Sequence, residues 1–283
     1  MRVLVIGAGG MLGSDLLREW PGDELIPATR RDADLRHPAQ VRSLISSHRP
    51  DWVVLAAAFT DVDGSERTPE AAYAINEGGT VNVAKSAEES GARVLYVSTD
   101  YVFDGTSSHP YEPEDAISPL GVYGDSKAKG EVALRTYSSQ WCIVRTSWLF
   151  GARGTSFPEK ILSVAKTRPE LKVVSDQIGS PTYTRDLVAA IRTLVKGDAR
   201  GILNATNAGA CSWFEFAEEI LKQARLNNPI RPISTAEAAR LAKRPAYSVL
   251  SPASLNSRGI FLRAWQEALQ DYLQELREFG KLI

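Results

Sequence analysis

In the first half of the chain, short apolar blocks alternate with stretches whose apolar positions recur at helical spacing. Residues 2–6, 24–27, 52–57, 93–98 and 141–146 are rich in Val, Ile and Leu and show little polar alternation. That pattern predicts strands buried on both faces of a parallel sheet. Between them, residues 11–20, 38–48, 69–90 and 122–138 carry the helical period. Thr68 before Pro69 reads as an N-cap followed by a first helical residue, and Pro38 opens its own helix. Strand and helix alternating at this spacing imply right-handed crossovers and an α/β fold, a Rossmann-like doubly wound parallel sheet. Ligands of such sheets sit outside the carboxyl ends of the strands.

After Thr146 the rhythm loosens. Residues 156–166 and 184–196 read as helices, and 172–174 and 202–205 as strands. Ser212-Trp213-Phe214-Glu215 is a capping box opening a helix to about residue 224, and 264–279 is a final amphipathic helix. Proline and glycine punctuate this half, so it should be smaller and more irregular.

Composition narrows the function classes. Hydrophobic residues make up 43% and charged residues 24% of the 283, with a net charge of −1 and no cationic cluster. Sequence-independent grip on a phosphate backbone needs such a cluster, so nucleic acid is not an expected partner. The longest apolar run, residues 52–59, falls far short of the ~20 that span a bilayer, and the first residues have no signal-peptide character. Two cysteines, Cys142 and Cys211, form neither a disulfide framework nor a metal site. These features together give a cytoplasmic expectation.

The first strand runs straight into Gly7-Ala8-Gly9-Gly10-Met11-Leu12-Gly13. Gly7, Gly10 and Gly13 are spaced three apart, a variant of the dinucleotide loop. Glycine there permits a tight turn, close approach to a pyrophosphate, and close helix-to-strand packing, while the following helix aims its N-terminal N–H groups at the phosphates. Residues 1–147 are therefore expected to form the NADP-binding domain, completed by segments near 182–206, with 148–283 mainly the substrate domain. The end of strand two reads Pro27-Ala28-Thr29-Arg30-Arg31, with no carboxylate until Asp32. An acidic residue at that point would select NADH, whereas Arg30 and Arg31 can clasp a 2′-phosphate. NADPH is favoured, with NADH the alternative; the plainer reading of the two arginines is a solvated loop.

Tyr123 and Lys127 stand four apart at the start of a helical segment, 24 residues beyond Thr99 at the end of strand four. Neighbours at i and i+4 share a helix face, so the ammonium is expected near the phenol, favouring the phenolate and drawing its pKa down from ~10. Thr99 offers a hydroxyl to hold a substrate oxygen, and Lys127 can also bond a nicotinamide ribose. The plainer reading is a surface helix.

GAGGMLGSDL, AAAFTDVD (56–63), VSTDYVFDG (97–105), SPLGVYGDSKAKGE (118–131), RTSWLFG (145–151), DQIGSPTYT (176–184) and RPAYSVL (244–250) together resemble the dTDP-4-dehydrorhamnose reductases. These belong to the extended short-chain dehydrogenase/reductase superfamily, and the resemblance covers nearly the whole chain. It implies Thr99, Tyr123 and Lys127 as catalytic triad, with Tyr123 the proton donor. It implies Gly10, Met11 and Leu12 at the pyrophosphate, Asp34 and Leu35 flanking the adenine, and Ala57 and Ala58 along the cofactor. Asp100 and Trp148 would contact the sugar, and Arg244 the nucleotide diphosphate. Plainer roles stand beside these: Asp100 capping the loop after strand four, Trp148 packing where the two halves meet, Arg244 structural.

The implied reaction is NADPH-dependent reduction of the C4 ketone of dTDP-4-dehydro-L-rhamnose to dTDP-L-rhamnose, by a monomer or homodimer. Two departures are visible. Gly121 stands where the family usually has asparagine, which leaves a loop hydrogen bond open. Some relatives pair through Mg2+ held by glutamates, and here only Asp15 occupies such a place, so no metal ligand is assigned. A dehydratase would need an Asp-Glu pair after the threonine, and Tyr101 follows Asp100 instead. A reductase of another 4-keto deoxysugar, and a non-catalytic NADP-binding regulatory subunit of the methionine adenosyltransferase type, are the remaining readings.

Overall fold

A computed structural model describes residues 1–282. Five parallel strands, β1 (Arg2–Ile6), β2 (Glu24–Ala28), β3 (Trp52–Leu55), β4 (Arg93–Thr99) and β5 (Trp141–Thr146), form the sheet with a later strand from the second half. The short strands β6 (Leu149–Phe150), β7 (Leu171–Val174), β8 (Ile178–Gly179) and β9 (Thr182–Tyr183) precede that sixth member, β10 (Gly201–Asn204). The order across the sheet is β10-β5-β4-β3-β1-β2. Because β2 lies to one side of β1 and β3 to the other, the winding reverses between β1 and β3. That reversal opens a crevice beyond their carboxyl ends.

The inner strands β1, β3, β4 and β5 bury both faces because their apolar residues are consecutive. Val3 and Val5 face one core with Val54, Leu95 and Val144. Leu4 and Ile6 face the other with Val53, Val94 and Ile143. Helices α1 (Met11–Glu19) and α2 (Pro38–His48) take opposite faces, contributing Leu12 and Leu16 to the first core and Val41 and Ile45 to the second. A third core gathers Phe150, Phe216, Trp265, Leu269 and Tyr272 from the second half of the chain. No helix among the described residues is long and apolar enough to cross a membrane.

The 69–90 segment departs from one continuous helix. A short helix α3 (Val62–Arg67), not legible in the pattern, precedes α4 (Pro69–Tyr73). A π-helical turn over Ala74–Gly78 then leads into α5 (Gly79–Ser90). The bulge has a visible cause. Asn76 is buried at its centre, its amide bonding both the N–H and the C=O of Phe59 and the Ser126 hydroxyl. Such turns commonly mark functional ground. Thr68 occupies the N-cap position of α4 but does not cap it; its hydroxyl donates to the Gly64 carbonyl. The helix carrying Tyr123, α6 (Val122–Tyr137), begins after Gly121. In the second half come α7 (Phe157–Ala165), α8 (Thr184–Lys196) and α9 (Trp213–Gln223), the last opened by the expected Ser212/Glu215 capping box.

Candidate active site

A cleft of about 1140 Å³ opens at the carboxyl ends of the strands. Its floor is the glycine loop. Gly7 has φ +97°, and a Cβ there would sit 2.6 Å from the Ala57 nitrogen; a Cβ on Gly13 would collide with the Gly7 carbonyl oxygen. The loop therefore packs at backbone distance against both the segment leaving β3 and α1, the close approach that glycine alone allows. The N-cap of α1 is Gly10, which gives the first-turn N–H groups no side-chain partner. That combination fits a dinucleotide's pyrophosphate. Gly7, Gly10, Met11, Leu12 and Gly13 all line the cleft, as do Ala57 and Ala58, which have left the sheet because β3 ends at Leu55.

Beyond β2, Arg30 and Arg31 line the same cleft, with Asp34 and Leu35 beside them. Asp32 turns away: its carboxylate accepts from the Thr29 N–H and hydroxyl, both at 2.8 Å. Asp34 is gripped by Arg36 at 2.6 Å, which holds its carboxyl well below the usual range, and Arg30 approaches it at 3.4 Å. The first acidic groups after β2 are thus engaged locally, Asp32 by Thr29 and Asp34 by Arg36, while Arg31 and the three-quarters-exposed Arg30 line the cleft as cations.

Thr99, Asp100, Tyr123 and Lys127 converge at the other end. Thr99 ends β4, and its Oγ1 donates to Asp100 Oδ1 at 3.0 Å. The turn that follows is capped by Thr99, which accepts from the Tyr101 N–H, rather than by Asp100. Asp100 is buried, its Oδ2 has no hydrogen-bond partner, and burial pushes its pKa up to about 7. Tyr123 meets Tyr101 edge-on at 5.7 Å.

The electrostatics differ from the expectation of a phenol drawn down by its neighbour. The Tyr123 phenol is pushed up to about 12, mainly by burial, with the Asp100 charge adding to the effect and the Thr99 hydroxyl opposing it. Lys127, 2% exposed, donates to the Val97 carbonyl at 2.7 Å and sits 3.9 Å from the centre of the Tyr96 ring. Burial lowers its pKa to about 7, against the pull of Glu131. Dryness disfavours both charged forms, so the pocket keeps the proton on the phenol and loosens it on the ammonium.

Trp148 adopts φ +46°, a left-handed conformation that a large side chain rarely takes. It stacks on Trp213 with ring centroids 3.4 Å apart and planes 7° from parallel, and both indoles line the cleft. Trp148 thus walls the cleft and also packs against the third core. Arg244 is not brought to the cleft lining: its Nη2 donates to Asp63 of α3 at 3.2 Å. Asp15 is fully buried and accepts from the Thr184 hydroxyl. Among the described residues, no three His, Cys, Asp or Glu side chains group as metal ligands. Beside Gly121 the Val122 N–H donates to Glu66 at 2.8 Å, and a Cβ on Gly121 would meet that carboxylate.

Comparison with known proteins settles the family. The model of the RmlD substrate binding domain matches residues 1–278. The spore coat polysaccharide biosynthesis protein SpsK of Bacillus subtilis is 43% identical, with 97% of each chain covered. The dTDP-4-dehydrorhamnose reductase of Aggregatibacter actinomycetemcomitans is 38% identical over 95% of this chain and 97% of its own. A crystal structure of dTDP-4-dehydrorhamnose reductase from Bacillus anthracis in complex with NADP superposes with a TM-score of 0.95 at 36% identity, covering 97% and 99% of the two chains. The chain belongs to the dTDP-4-dehydrorhamnose reductase family.

For a member of this family, several cleft residues were not legible in the sequence. Trp213 reads only as the first helical residue after a capping box, and no pattern singles out Arg153, yet both line the cleft. Asn76, behind the cleft, left no signal in the sequence pattern. Glu131, one helical turn beyond Lys127, is buried and pairs with Arg145 at 2.7 Å, although the reductase motifs mark it only as a match.

Proposed function

We propose that the chain reduces the C4 ketone of dTDP-4-dehydro-L-rhamnose to dTDP-L-rhamnose with NADPH. The observation that carries this reading is the convergence of Thr99, Tyr123 and Lys127 in one cleft with the glycine loop and the Arg30–Arg31 pair. The names of the relatives point the same way.

A dihydronicotinamide bound in this cleft supplies hydride to the ketone carbon. The residues supply the remainder. The glycine loop and the α1 N-terminus hold the diphosphate, and Arg30 and Arg31 favour a 2′-phosphate. Thr99 and Tyr123 orient the carbonyl oxygen. The Tyr123 hydroxyl, which keeps its proton up to about 12, donates it to that oxygen as negative charge develops there. Lys127, one turn along α6 and lining the same cleft, supplies a positive charge that favours the resulting phenolate, and solvent returns the proton. Trp148 and Trp213 give the sugar an apolar wall, and the buried, partnerless Asp100 oxygen offers it a polar contact.

The test follows NADPH absorbance with a panel of 4-keto nucleotide sugars. Turnover should be fastest with dTDP-4-dehydro-L-rhamnose. Tyr123→Phe should lower kcat at least about a hundredfold, the usual contribution of a positioned proton donor, while NADPH still binds. Retained turnover in that variant would remove Tyr123 from its role.

A further inference from the structure

We propose that Arg153 is a diphosphate-binding residue of the cleft, closing from the second half of the chain onto the phosphates that the α1 N-terminus holds from the first. The inference rests on the reading that this cleft takes a dinucleotide. It begins with the loop between β6 and α7. A Cβ on Gly154 would sit 2.9 Å from the Met11 Cβ, and one on Gly151 would sit 3.2 Å from the Met11 Cγ. The loop therefore lies directly on the glycine loop, and Arg153, Gly154 and Thr155 line the cleft beside Gly10 and Met11.

The guanidinium is held without being used. Its carbon lies 5.1 Å from the centre of the Phe279 ring, and its Nε is 3.9 Å from Asp15 Oδ1. That separation is beyond hydrogen-bond reach. The Asp15 oxygen is fully buried with no hydrogen-bond partner, and Arg153 makes no hydrogen bond among the described residues. Asp15 thus restrains the arginine by charge alone and leaves its planar fork of donors open. A planar guanidinium is the group best matched to paired phosphate oxygens. Next to it in the cleft lining stands the positive end of α1, whose first turn contains no acidic residue. Two positive features lining one cleft side by side favour an anion bound by both. The contact with Met11 sets that anion against the glycine loop, so the cofactor's diphosphate is the assigned ligand. The nucleotide sugar's diphosphate shares the chemistry and is separated by experiment.

Arg153→Ala and Arg153→Lys are compared with the parent in fluorescence titrations with NADPH and calorimetric titrations with adenosine 2′-monophosphate and TDP. For Arg153→Ala the NADPH Kd should rise about tenfold to a hundredfold, the worth of one charge-assisted bond pair. Binding of adenosine 2′-monophosphate, which lacks a diphosphate, and of TDP should be unchanged, and lysine should restore part of the loss. Arg30→Ala with Arg31→Ala should instead weaken both NADPH and adenosine 2′-monophosphate. Unchanged NADPH affinity, or equal weakening of every ligand, would overturn the proposal; weakened TDP with intact NADPH would overturn the cofactor assignment. All arms read binding without turnover, so an enzyme of different substrate would still pass. A parent chain that fails to bind NADPH would instead remove the underlying reading.

Discussion

Glu131→Gln should be among the most damaging single changes outside the glycine loop, for reasons that can be worked through atom by atom. Glu131 Oε1 accepts from the Ser98 hydroxyl at 2.6 Å and from Arg145 Nε at 3.0 Å, and Oε2 accepts from Arg145 Nη2 at 2.7 Å. Arg145 Nη1 donates to the Pro113 carbonyl at 3.0 Å, and both charged side chains are 2% exposed. Losing one partner of such a pair strands the other charge in the interior, which costs about 3–5 kcal/mol. With an unfolding entropy of about 2.1 cal/mol/K per residue, a chain of this length loses roughly 5–8 °C in Tm for that change. Arg145→Met should cost a similar amount, whereas the double variant Glu131→Gln with Arg145→Met should cost less than the two singles added together, because both desolvated charges leave together. Thermal and denaturant unfolding of the four proteins of the cycle measure this. The two singles should also move the alkaline limb of kcat in opposite directions. Glu131 opposes the burial that lowers the Lys127 pKa to about 7, so its loss lowers that pKa further and the limb moves to lower pH. Loss of Arg145 leaves the carboxylate unmatched and moves the limb up. A single-variant cost under about 1 kcal/mol, or a double equal to the sum of the singles, would refute the reasoning.

Arg30→Ala combined with Arg31→Ala should cut NADPH affinity severely and leave NADH nearly unchanged in fluorescence titrations; equal losses for both would refute a 2′-phosphate clasp. Asp100 holds its proton up to about 7 when folded and releases it near 3.8 when unfolded, so native stability falls as pH rises through that window, and Asp100→Asn should flatten that part of the stability–pH curve. The same carboxyl is neutral below about 7, so the KM for the nucleotide sugar should climb above that pH in the parent and not in Asp100→Asn. Gly13→Ala drives a Cβ into the Gly7 carbonyl, so NADPH binding by calorimetry should be lost or weakened more than tenfold, in contrast to Gly78→Ala, a helical position whose Cβ would meet nothing nearer than 3.8 Å.

What could be read from the chain beforehand follows from how local each signal is. Strands β1 and β5 and helices α2 and α8 fall at their expected bounds, because a buried parallel strand is a consecutive apolar run and an amphipathic helix a fixed period. The glycine loop is similarly local: its spacing encodes the turn and the two close approaches. The π-turn at Ala74–Gly78 was hidden because its cause lies elsewhere in the chain, in the Phe59 backbone and the Ser126 hydroxyl that Asn76 reaches. Helix α3 was hidden by its length, six residues capped by Asp61, too short to establish a period.

The site divides along the same line. Tyr123 and Lys127 are recognisable as a pair because four residues of helix set them on one face, but their protonation depends on everything packed around that face. The ammonium turns to the Val97 carbonyl and the Tyr96 ring, and the carboxylate opposing its desolvation is Glu131, itself matched by Arg145 from the next strand. A spacing rule that counts only the pair gives a lowered phenol pKa; adding burial reverses the sign. That reversal suits reduction, since a donor must keep its proton until charge appears on the substrate oxygen, and a phenol titrating near neutrality would surrender it to solvent first. The ammonium, loosened by the same dryness, shares the cleft with that phenol, so under the proposed mechanism its charge counts most once the phenolate has formed rather than before.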